Sequence, residues 1–302
     1  MNDHSDRSLF RRDFLRASGA GMTSLLTTQH GLSAAIKDEK RSLNGVVGIT
    51  TGGGLGRQRT RGELNLLTLP GYMRDTLGLQ LIDVNTRWFD SYDREYLKGI
   101  REAADAADCF YTNLKVNDPV SGVLYSKDAD KRREAHAKCR TLIDSAKILG
   151  ARWIRFTVPQ HAAKAPVAHR ELAVYAARYG IQLLVENSGW LAHDAKSIPA
   201  IAKAIGNKAA PCPDTGNWDD NLRPQALRNS FPNAVSCDFK VWELDAAHHH
   251  ARYDLKQCFD IGWKAGYRGP WVMEIMQDDA NFARTTVYVR DLLRKWIKQN
   301  TR

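Results

Sequence analysis

Residues 180–187 read Gly-Ile-Gln-Leu-Leu-Val-Glu-Asn, and this stretch decides the fold. The glycine ends a stretch with helical spacing over residues 168–179, because glycine is common just past a helix C-terminus. The short apolar run that follows is typical of a strand covered on both faces, as in a parallel sheet. An acid, Glu186, comes directly after the apolar run. The stretch therefore predicts one helix–strand unit of an α/β fold with an acidic group at the strand end.

The same unit recurs along the chain on both sides of this stretch. Helical spacing is predicted up to residue 76 and over residues 94–107, 129–149, 197–205, 224–229, 253–265 and 280–298. Strands are predicted over residues 46–50, 79–84, 110–116, 153–157, 181–185, 209–213, 234–239 and 271–275. Eight alternating strand–helix pairs predict an α/β protein with one closed (β/α)8 TIM barrel.

A doubly wound open sheet is the alternative arrangement of such units. Its dinucleotide-binding form needs a GxGxxG fingerprint, and a phosphate loop ends in Gly-Lys-Ser/Thr. The glycine-rich loop of this chain, Gly52-Gly53-Gly54-Leu55-Gly56, has neither pattern. The chain also has no internal repeat and no sign of a second domain, so a single barrel is favoured.

Composition places the chain among ordinary globular proteins. Of the 302 residues, 43% are hydrophobic and 26% charged, which excludes a disordered or fibrous chain. No apolar run approaches the roughly 18 residues of a membrane span. The net charge of +10 is dispersed and accompanied by no recognition module, so nucleic acid is not an expected partner. The five cysteines include no CxxC pair and are expected to be buried free thiols.

The N-terminus has the sequence features of a targeting signal. Residues 9–16 read Leu-Phe-Arg-Arg-Asp-Phe-Leu-Arg, and a weakly apolar stretch over residues 17–26 follows, then Ser33-Ala34-Ala35. This order resembles a twin-arginine signal peptide with its cleavage site. We therefore expect a signal peptide over residues 1–35, a linker over 36–44 and the barrel over 45–302. The expected partner is the twin-arginine export machinery, and the expected location is periplasmic or extracellular.

Four consecutive strands deliver an acid to the rim where TIM barrels carry their chemistry. These acids are Glu186, Asp214, Asp238 and Glu274. Converging carboxylates repel one another in a dry pocket unless a cation is present. Oxygen ligands favour magnesium, manganese or calcium. The four acids are therefore predicted to hold a divalent metal.

Several segments carry a family resemblance over residues 45–298. They are Leu149-Gly150-Ala151, Tyr179-Gly180-Ile181 with the strand after it, Pro213-Asp214-Thr215-Gly216-Asn217, and Ala265-Gly266-Tyr267-Arg268-Gly269 before Glu274. With these segments the chain resembles the xylose-isomerase-like barrels of the sugar isomerase and epimerase superfamily. The resemblance implies an enzyme of isomerase, epimerase or lyase type that acts on a carbohydrate with a divalent metal.

The resemblance also assigns roles to single residues. Family members hold the metal with acids on strands five, six and eight and with a histidine on strand seven. Glu186, Asp214 and Glu274 match the three acids, whereas Asp238 stands where the histidine is expected. Lys240 keeps the lysine of the family's His-x-Lys pattern. Asn217 replaces a sugar-binding histidine of ketose epimerases, so their substrate contacts are not retained.

The expected chemistry is proton abstraction next to a carbonyl of a sugar. Glu186 and Glu274 are predicted to move the proton, and Lys240 to stabilise the developing oxyanion. The side chains expected to contact substrate are Asn217, Arg155, Lys115 and the tryptophans Trp190, Trp218 and Trp242. Two alternatives stay open: a lyase or hydrolase acting on oxidised (3-keto) glycosides, and a non-catalytic sugar-binding barrel.

Overall fold

The computed structural model of the protein describes residues 41–277 and 279–301. The predicted signal peptide, residues 1–35, and the first part of the predicted linker lie outside the described residues. From Arg41 onward the chain forms one compact unit. No helix among its described residues is long and apolar enough to cross a membrane.

Eight parallel strands form the sheet in the order β6-β5-β4-β3-β2-β1-β8-β7. A bridge between Asp214 and Asp238 joins the two ends of this order. Its two backbone hydrogen bonds, Thr215 N to Asp238 O and Asp238 N to Pro213 O, each span 2.9 Å. The predicted (β/α)8 barrel is confirmed. The strands are β1 Val47–Thr50, β2 Leu81–Asn85, β3 Phe110–Lys115, β4 Trp153–Arg155, β5 Gln182–Glu186, β6 Ala209–Cys212, β7 Cys237–Val241 and β8 Trp271–Ile275.

Helices follow the strands and cover the outside of the sheet. The longest, over residues 129–149, begins at Asp128, whose carboxylate accepts from two backbone N–H groups, and ends at Gly150 in the left-handed region. The helices of the described chain are α1 Gly53–Thr60, α2 Leu69–Asp75, α3 Arg94–Ala106, α4 Val120–Val123, α5 Ala129–Leu149, α6 Val167–Ala177, α7 Ser197–Ile205, α8 Arg223–Ser230, α9 Leu255–Lys264 and α10 Phe282–Asn300.

Two differences from the sequence-based expectation stand out, whereas the other predicted strand and helix boundaries shift by at most two residues. The stretch predicted to be helical up to residue 76 is two helices, α1 and α2, because Gly62 adopts a φ of 75° and the Asn65 side chain caps the turn before Pro70. The seventh strand begins at Cys237 rather than at residue 234. Its register against β8 pairs Lys240 with Glu274, so both side chains reach the same face of the sheet.

Apolar residues fill two separate regions. The larger core lies between the sheet and the helices, whereas a smaller cluster inside the barrel includes Leu81, Phe110, Trp153 and Val272. Leu43, from the region predicted as a linker, is buried in this inner cluster. The five cysteines are free and buried, as expected. With its lower interior filled, the barrel leaves room for polar side chains at the end where the strands finish.

Candidate active site at the mouth of the barrel

A cavity of about 580 Å³ opens at the carboxyl end of the strands. This volume is within the range of about 300–1,000 Å³ that is typical of small-molecule sites. Five of the predicted functional residues line it: Lys115, Arg155, Glu186, Lys240 and Glu274. Asp214 and Asp238 are fully buried beside them. The structure therefore brings the acids of strands five to eight to one end of the barrel.

Three of these acids form a compact oxygen cluster. Glu186, Asp214 and Asp238 each offer one carboxylate oxygen, and the three oxygens lie within 4.8 Å of one another. Each residue also has a buried oxygen that lacks a hydrogen-bond partner among the described residues: Glu186 Oε2, Asp214 Oδ2 and Asp238 Oδ1. Hard divalent cations take carboxylate oxygens of this kind as ligands. The triad therefore fits a divalent metal, with Asp238 in place of an imidazole.

Basic side chains neutralise part of this cluster. Lys115 Nζ donates a hydrogen bond to Asp238 and lies 3.4 Å from Glu186 Oε2. Arg155 Nε lies 3.1 Å from the same Glu186 oxygen. These contacts to Glu186 have ion-pair distances without hydrogen-bond angles, so Glu186 Oε2 is paired in charge but accepts no hydrogen bond from the described chain. The positive charges of Lys115 and Arg155 therefore stabilise the three clustered carboxylates without cancelling all of their negative charge.

Lys240 stands between the triad and Glu274. Its Nζ lies 3.0 Å from Asp214 Oδ2 and 2.9 Å from Glu274 Oε2. Glu274 thus stands apart from the three clustered acids and is bound through an ammonium group. Its side chain is 20% exposed, against 7% for Glu186, so it is the more accessible of the two acids that line the cavity.

The formal charges of the site do not cancel. Asp83 on β2 is also buried, accepting from Thr112 Oγ1 at 2.5 Å and from Asn113 Nδ2 at 3.2 Å. Its charge acts on Asp238. Three cations, Lys115, Arg155 and Lys240, contact four of these five carboxylates, while the arginines Arg57, Arg59 and Arg87 line the same cavity without contacting them. Full ionisation leaves a formal charge of −2, which a divalent cation would neutralise.

The pKa values of the acids record the same imbalance. Burial raises the pKa of Asp214 to about 6 even though Lys240 is close. Burial also raises the pKa of Asp238 well above its usual range, with added repulsion from Glu186 and Asp214. Burial opposes ionisation of Glu186 too, but Arg155 and Lys115 outweigh it and lower that pKa to about 2. Glu186 is thus ionised, whereas its two partners resist ionisation until another cation arrives.

Two glycines permit the close approach of Lys240 and Glu274. A Cβ on Gly216 would lie 2.6 Å from the Tyr253 hydroxyl and 2.8 Å from Lys240 Cβ. A Cβ on Gly52 would lie 2.5 Å from Glu274 Oε1. These distances are too short for real Cβ contacts. The glycine-rich loop after β1 therefore makes room for the acid of β8.

Asn187 positions Asp214, and this role is not evident from the sequence. The Asn187 amide donates to Asp214 O at 3.0 Å and accepts from Asp214 N at 2.7 Å. The Asp214 carboxylate accepts from Gly216 N and Asn217 N. The only sequence signal was the place of Asn187, directly after the acid of the fifth strand.

The predicted substrate-contacting residues are spread over several environments. Asn217 accepts from Lys240 Nζ and so contacts the site through that lysine. Trp190, Trp218 and Trp242 lie outside the cavity lining, and Trp218 is a core residue at 2% exposure. A different tryptophan, Trp88, lines the cavity and donates to Thr51 O at 2.8 Å.

Comparison with solved structures identifies the kind of barrel. A xylose isomerase domain protein from Planctomyces limnophilus aligns with a TM-score of 0.63 at 16% identity, over 86% of this chain and all of that one. An L-ribulose 3-epimerase aligns with a TM-score of 0.63 at 14% identity, over 84% and 96%. A xylose isomerase-like TIM barrel protein from Mycobacterium smegmatis, in complex with magnesium, aligns with a TM-score of 0.60 at 15% identity, over 79% and 90%.

These similarities establish the fold as a xylose isomerase-like TIM barrel. At such identities they do not carry activity from one protein to another. No protein-family model matches the chain, and no curated protein matches it by sequence. The function must therefore be argued from the site.

Proposed function

We propose that this protein is a sugar isomerase or epimerase-type enzyme that uses a divalent metal, manganese, magnesium or calcium, at the mouth of its barrel. The observation that carries the proposal is the triad of Glu186, Asp214 and Asp238, with orphaned oxygens and a residual negative charge beside a ligand-sized cavity. Structural neighbours support this assignment: two are a D-psicose 3-epimerase and an L-ribulose 3-epimerase, and a third, a xylose isomerase-like TIM barrel protein, is in complex with magnesium.

A bound divalent metal supplies Lewis-acid polarisation of a substrate carbonyl or hydroxyl. Glu274 is the accessible carboxylate of the cavity and takes the proton from the carbon next to that carbonyl. Lys240, 2.9 Å from Glu274 Oε2, holds this carboxylate in place and presents positive charge where an oxyanion develops. Glu274, now protonated, returns the proton to the neighbouring carbon while the hydroxyl proton passes to the former carbonyl oxygen, which moves the carbonyl. Glu186 faces the same cavity from β5, and its lowered pKa keeps it ionised, so it serves as a ligand for the metal.

Proton exchange tests this chemistry without knowledge of the natural substrate. The chain would be incubated in deuterated water with divalent metal and a panel of keto-sugars, and deuterium incorporation measured by mass spectrometry. We expect incorporation with at least one sugar and a loss of at least about a hundredfold in Glu274→Gln, the scale of general-base catalysis. Glu134→Gln, at an exposed position of α5, is the matched control and should keep the wild-type rate. Elimination from oxidised (3-keto) glycosides would be measured in parallel.

A second candidate is a metal-free sugar-binding barrel. It is favoured by Lys115 and Lys240, whose ammonium groups together contact all four acids at the strand ends. In that case sugars bind without deuterium exchange, and added divalent ions change neither binding nor thermal stability. An enzyme should instead exchange substrate protons for deuterium, and added divalent ions should change both its sugar binding and its thermal stability.

Export is a separate part of the proposal and rests on the sequence alone. Arg11 and Arg12, with the weakly apolar stretch and the small residues after them, indicate folded export through the twin-arginine route. We expect a tagged chain to appear outside the cytoplasm in shortened form. Conversion of Arg11 and Arg12 to lysine together should retain it inside, and retention of the wild-type chain would contradict export.

A further inference from the structure

We propose that the substrate of this site carries an anionic group, a carboxylate or a phosphate, and that Arg59 and Arg87 bind this group at the rim of the cavity. The inference rests on the proposed function and adds the substrate class. A neutral sugar offers no anionic partner to the Arg87 guanidinium or to the unsatisfied Arg59 Nε–H.

The rim is built from two segments that follow the first two strands. Helix α1 lines the cavity with residues 53, 56, 57 and 60, which share one helical face, and with Arg59. Arg87 lies in the short helical turn over residues 86–88, directly after the neighbouring strand β2, and lines the same cavity. Around the barrel, β1 is two strands from β7 and β2 is three strands from β5. The cavity therefore has a basic side and an acidic floor.

Internal ion pairs account for only part of the charge at the rim. Arg57 Nε pairs with Asp279 Oδ1 at 2.8 Å, and Arg59 pairs with Asp90 through Nη2. The Arg87 guanidinium makes no ion pair and no hydrogen bond with any residue of the described chain. The Nε of Arg59 is buried and has no hydrogen-bond partner in the same part of the chain. The Arg87 guanidinium thus remains unpaired at the rim, and Arg59 has one donor that no atom of the described chain satisfies.

These groups match a planar or tetrahedral oxyanion. Guanidinium binds carboxylate and phosphate through parallel charge-assisted hydrogen bonds, which are shorter and stronger than neutral ones. Burying the Arg59 Nε–H without a partner is unfavourable, and an anionic oxygen removes that cost. The acidic floor repels an anion, so the charged end of the substrate is directed to the rim and the reacting carbon to Glu274 and Lys240.

Calorimetric titration with charged and neutral sugars tests the inference. D-Glucuronate and D-galacturonate would be compared with D-glucose, D-galactose and the corresponding sugar phosphates, on the metal-supplemented chain. We expect at least one anionic sugar to bind tenfold or more tightly than its neutral parent, with an affinity that falls as salt is added. Preference for the uronates identifies a carboxylate, and preference for the sugar phosphates identifies a phosphate.

Variants at the rim link the preference to the proposed groups. Arg87→Gln should weaken binding of the anionic sugar about tenfold and leave the neutral parent unchanged, whereas Arg87→Lys should keep part of the preference. Arg133→Gln, at an exposed position of α5, should change neither. Equal affinity for charged and neutral sugars, binding of neither class, or an unchanged preference in Arg87→Gln would overturn the inference.

The two proposals fail in different ways. A protein that binds metal and exchanges substrate protons but shows no anion preference contradicts only the substrate class. A protein that prefers anionic sugars through Arg87 yet neither binds metal nor exchanges protons contradicts only the proposed enzyme.

Discussion

Lys240 links several groups of the site. It contacts Asp214, Glu274 and Asn217, and the Tyr253 hydroxyl donates to its backbone carbonyl at 2.6 Å. A lysine with this many acceptors is fixed in one rotamer, and the acids around it raise its pKa above the usual value despite burial. It therefore acts as a permanent cation rather than as a proton donor at neutral pH.

Gly216→Ala tests how tightly Lys240 is placed. The added methyl overlaps the Tyr253 hydroxyl and the Lys240 side chain, so Lys240 must move away from Asp214 and Glu274. We expect a loss of about 1–3 kcal/mol in the free energy of unfolding and a large fall in proton exchange. Gly71→Ala, in helix α2 with no atom within 4 Å of the added carbon, is the control for chain stiffness: it should raise the free energy of unfolding by about 0.5–1 kcal/mol and leave proton exchange unchanged. Full activity in Gly216→Ala would contradict the placement of Lys240.

His169 gives a pH prediction that does not involve the acidic cluster. The imidazole is buried between the Tyr125 hydroxyl and Thr157 O, and burial lowers its pKa from 6.5 to about 4. Between pH 6.5 and about 4, the His169 imidazole therefore binds a proton in the unfolded chain but stays neutral in the folded chain. Stability contributed by this residue is complete above pH 6.5 and is lost as the pH falls toward 4, by about 3 kcal/mol in all.

Urea unfolding at pH 7 and pH 5 measures this effect. Between these values the wild type should lose about 2 kcal/mol more than His169→Gln, because only the wild type carries the buried imidazole. His249→Gln, at a largely exposed position, should keep the wild-type difference. Equal pH dependence in wild type and His169→Gln would show that His169 does not remain neutral in the folded chain.

At the scale of elements, the sheet closes through a single bridge just beyond the end of β6 rather than through a regular ladder between β6 and β7. Strand β6 ends at Cys212, and the contact with β7 is made just beyond it by Pro213, Asp214 and Thr215. The Asn187 side chain continues the pairing from β5 by bonding both backbone groups of Asp214. A side chain thus replaces ladder hydrogen bonds at the point where a triad residue must turn inward.

Asn187→Ala should therefore damage both the fold and the site. It leaves the backbone N–H and C=O of Asp214 without partners in a buried position, at a cost of about 2–4 kcal/mol. Divalent metal should bind more weakly as well, because Asp214 loses its orientation. Thermal unfolding with and without metal measures both effects, with Asn233→Ala in an exposed loop as the control. Wild-type stability of Asn187→Ala would show that another group fixes Asp214.

The strands and long helices were predictable because each has a local cause. The helix α5 over Ala129–Leu149 and the strand β8 over Trp271–Ile275 have the predicted bounds, since cap residues and an unbroken apolar run define them. The break between α1 and α2 was not predicted, because it depends on a backbone turn at Gly62. The shift of β7 was not predicted either, because pairing with β8 sets its register.

At the scale of the whole molecule, barrel closure makes the site. The acids of β5 to β8 are separated by tens of residues in the sequence, and parallel strands bring their carboxyl ends to one rim. The convergence of the acids at one rim was predictable from the positions of Glu186, Asp214, Asp238 and Glu274 in the sequence. The separation of Glu274 from the other three was not predictable, because it depends on where the Lys240 side chain reaches.

The same distinction applies to the substrate contacts. Tryptophans after strand ends were expected at the cavity, but Trp218 is part of the core and Trp88 lines the cavity instead. Position along a strand–loop pattern does not determine the direction of a large side chain. The arginines of the rim were not predictable, because only the folded chain brings α1 and the turn after β2 to the same cavity.

The central claim is that the buried acids hold a divalent metal, and elemental analysis of the purified chain tests it most directly. The account predicts about one manganese, magnesium or calcium ion per chain after incubation with these ions. Glu186→Gln and Asp214→Asn should each lose it, and Glu134→Gln should keep it. A wild-type chain that stays free of metal, or one whose metal survives both substitutions, would contradict the claim and leave the lysines as the cations of the site.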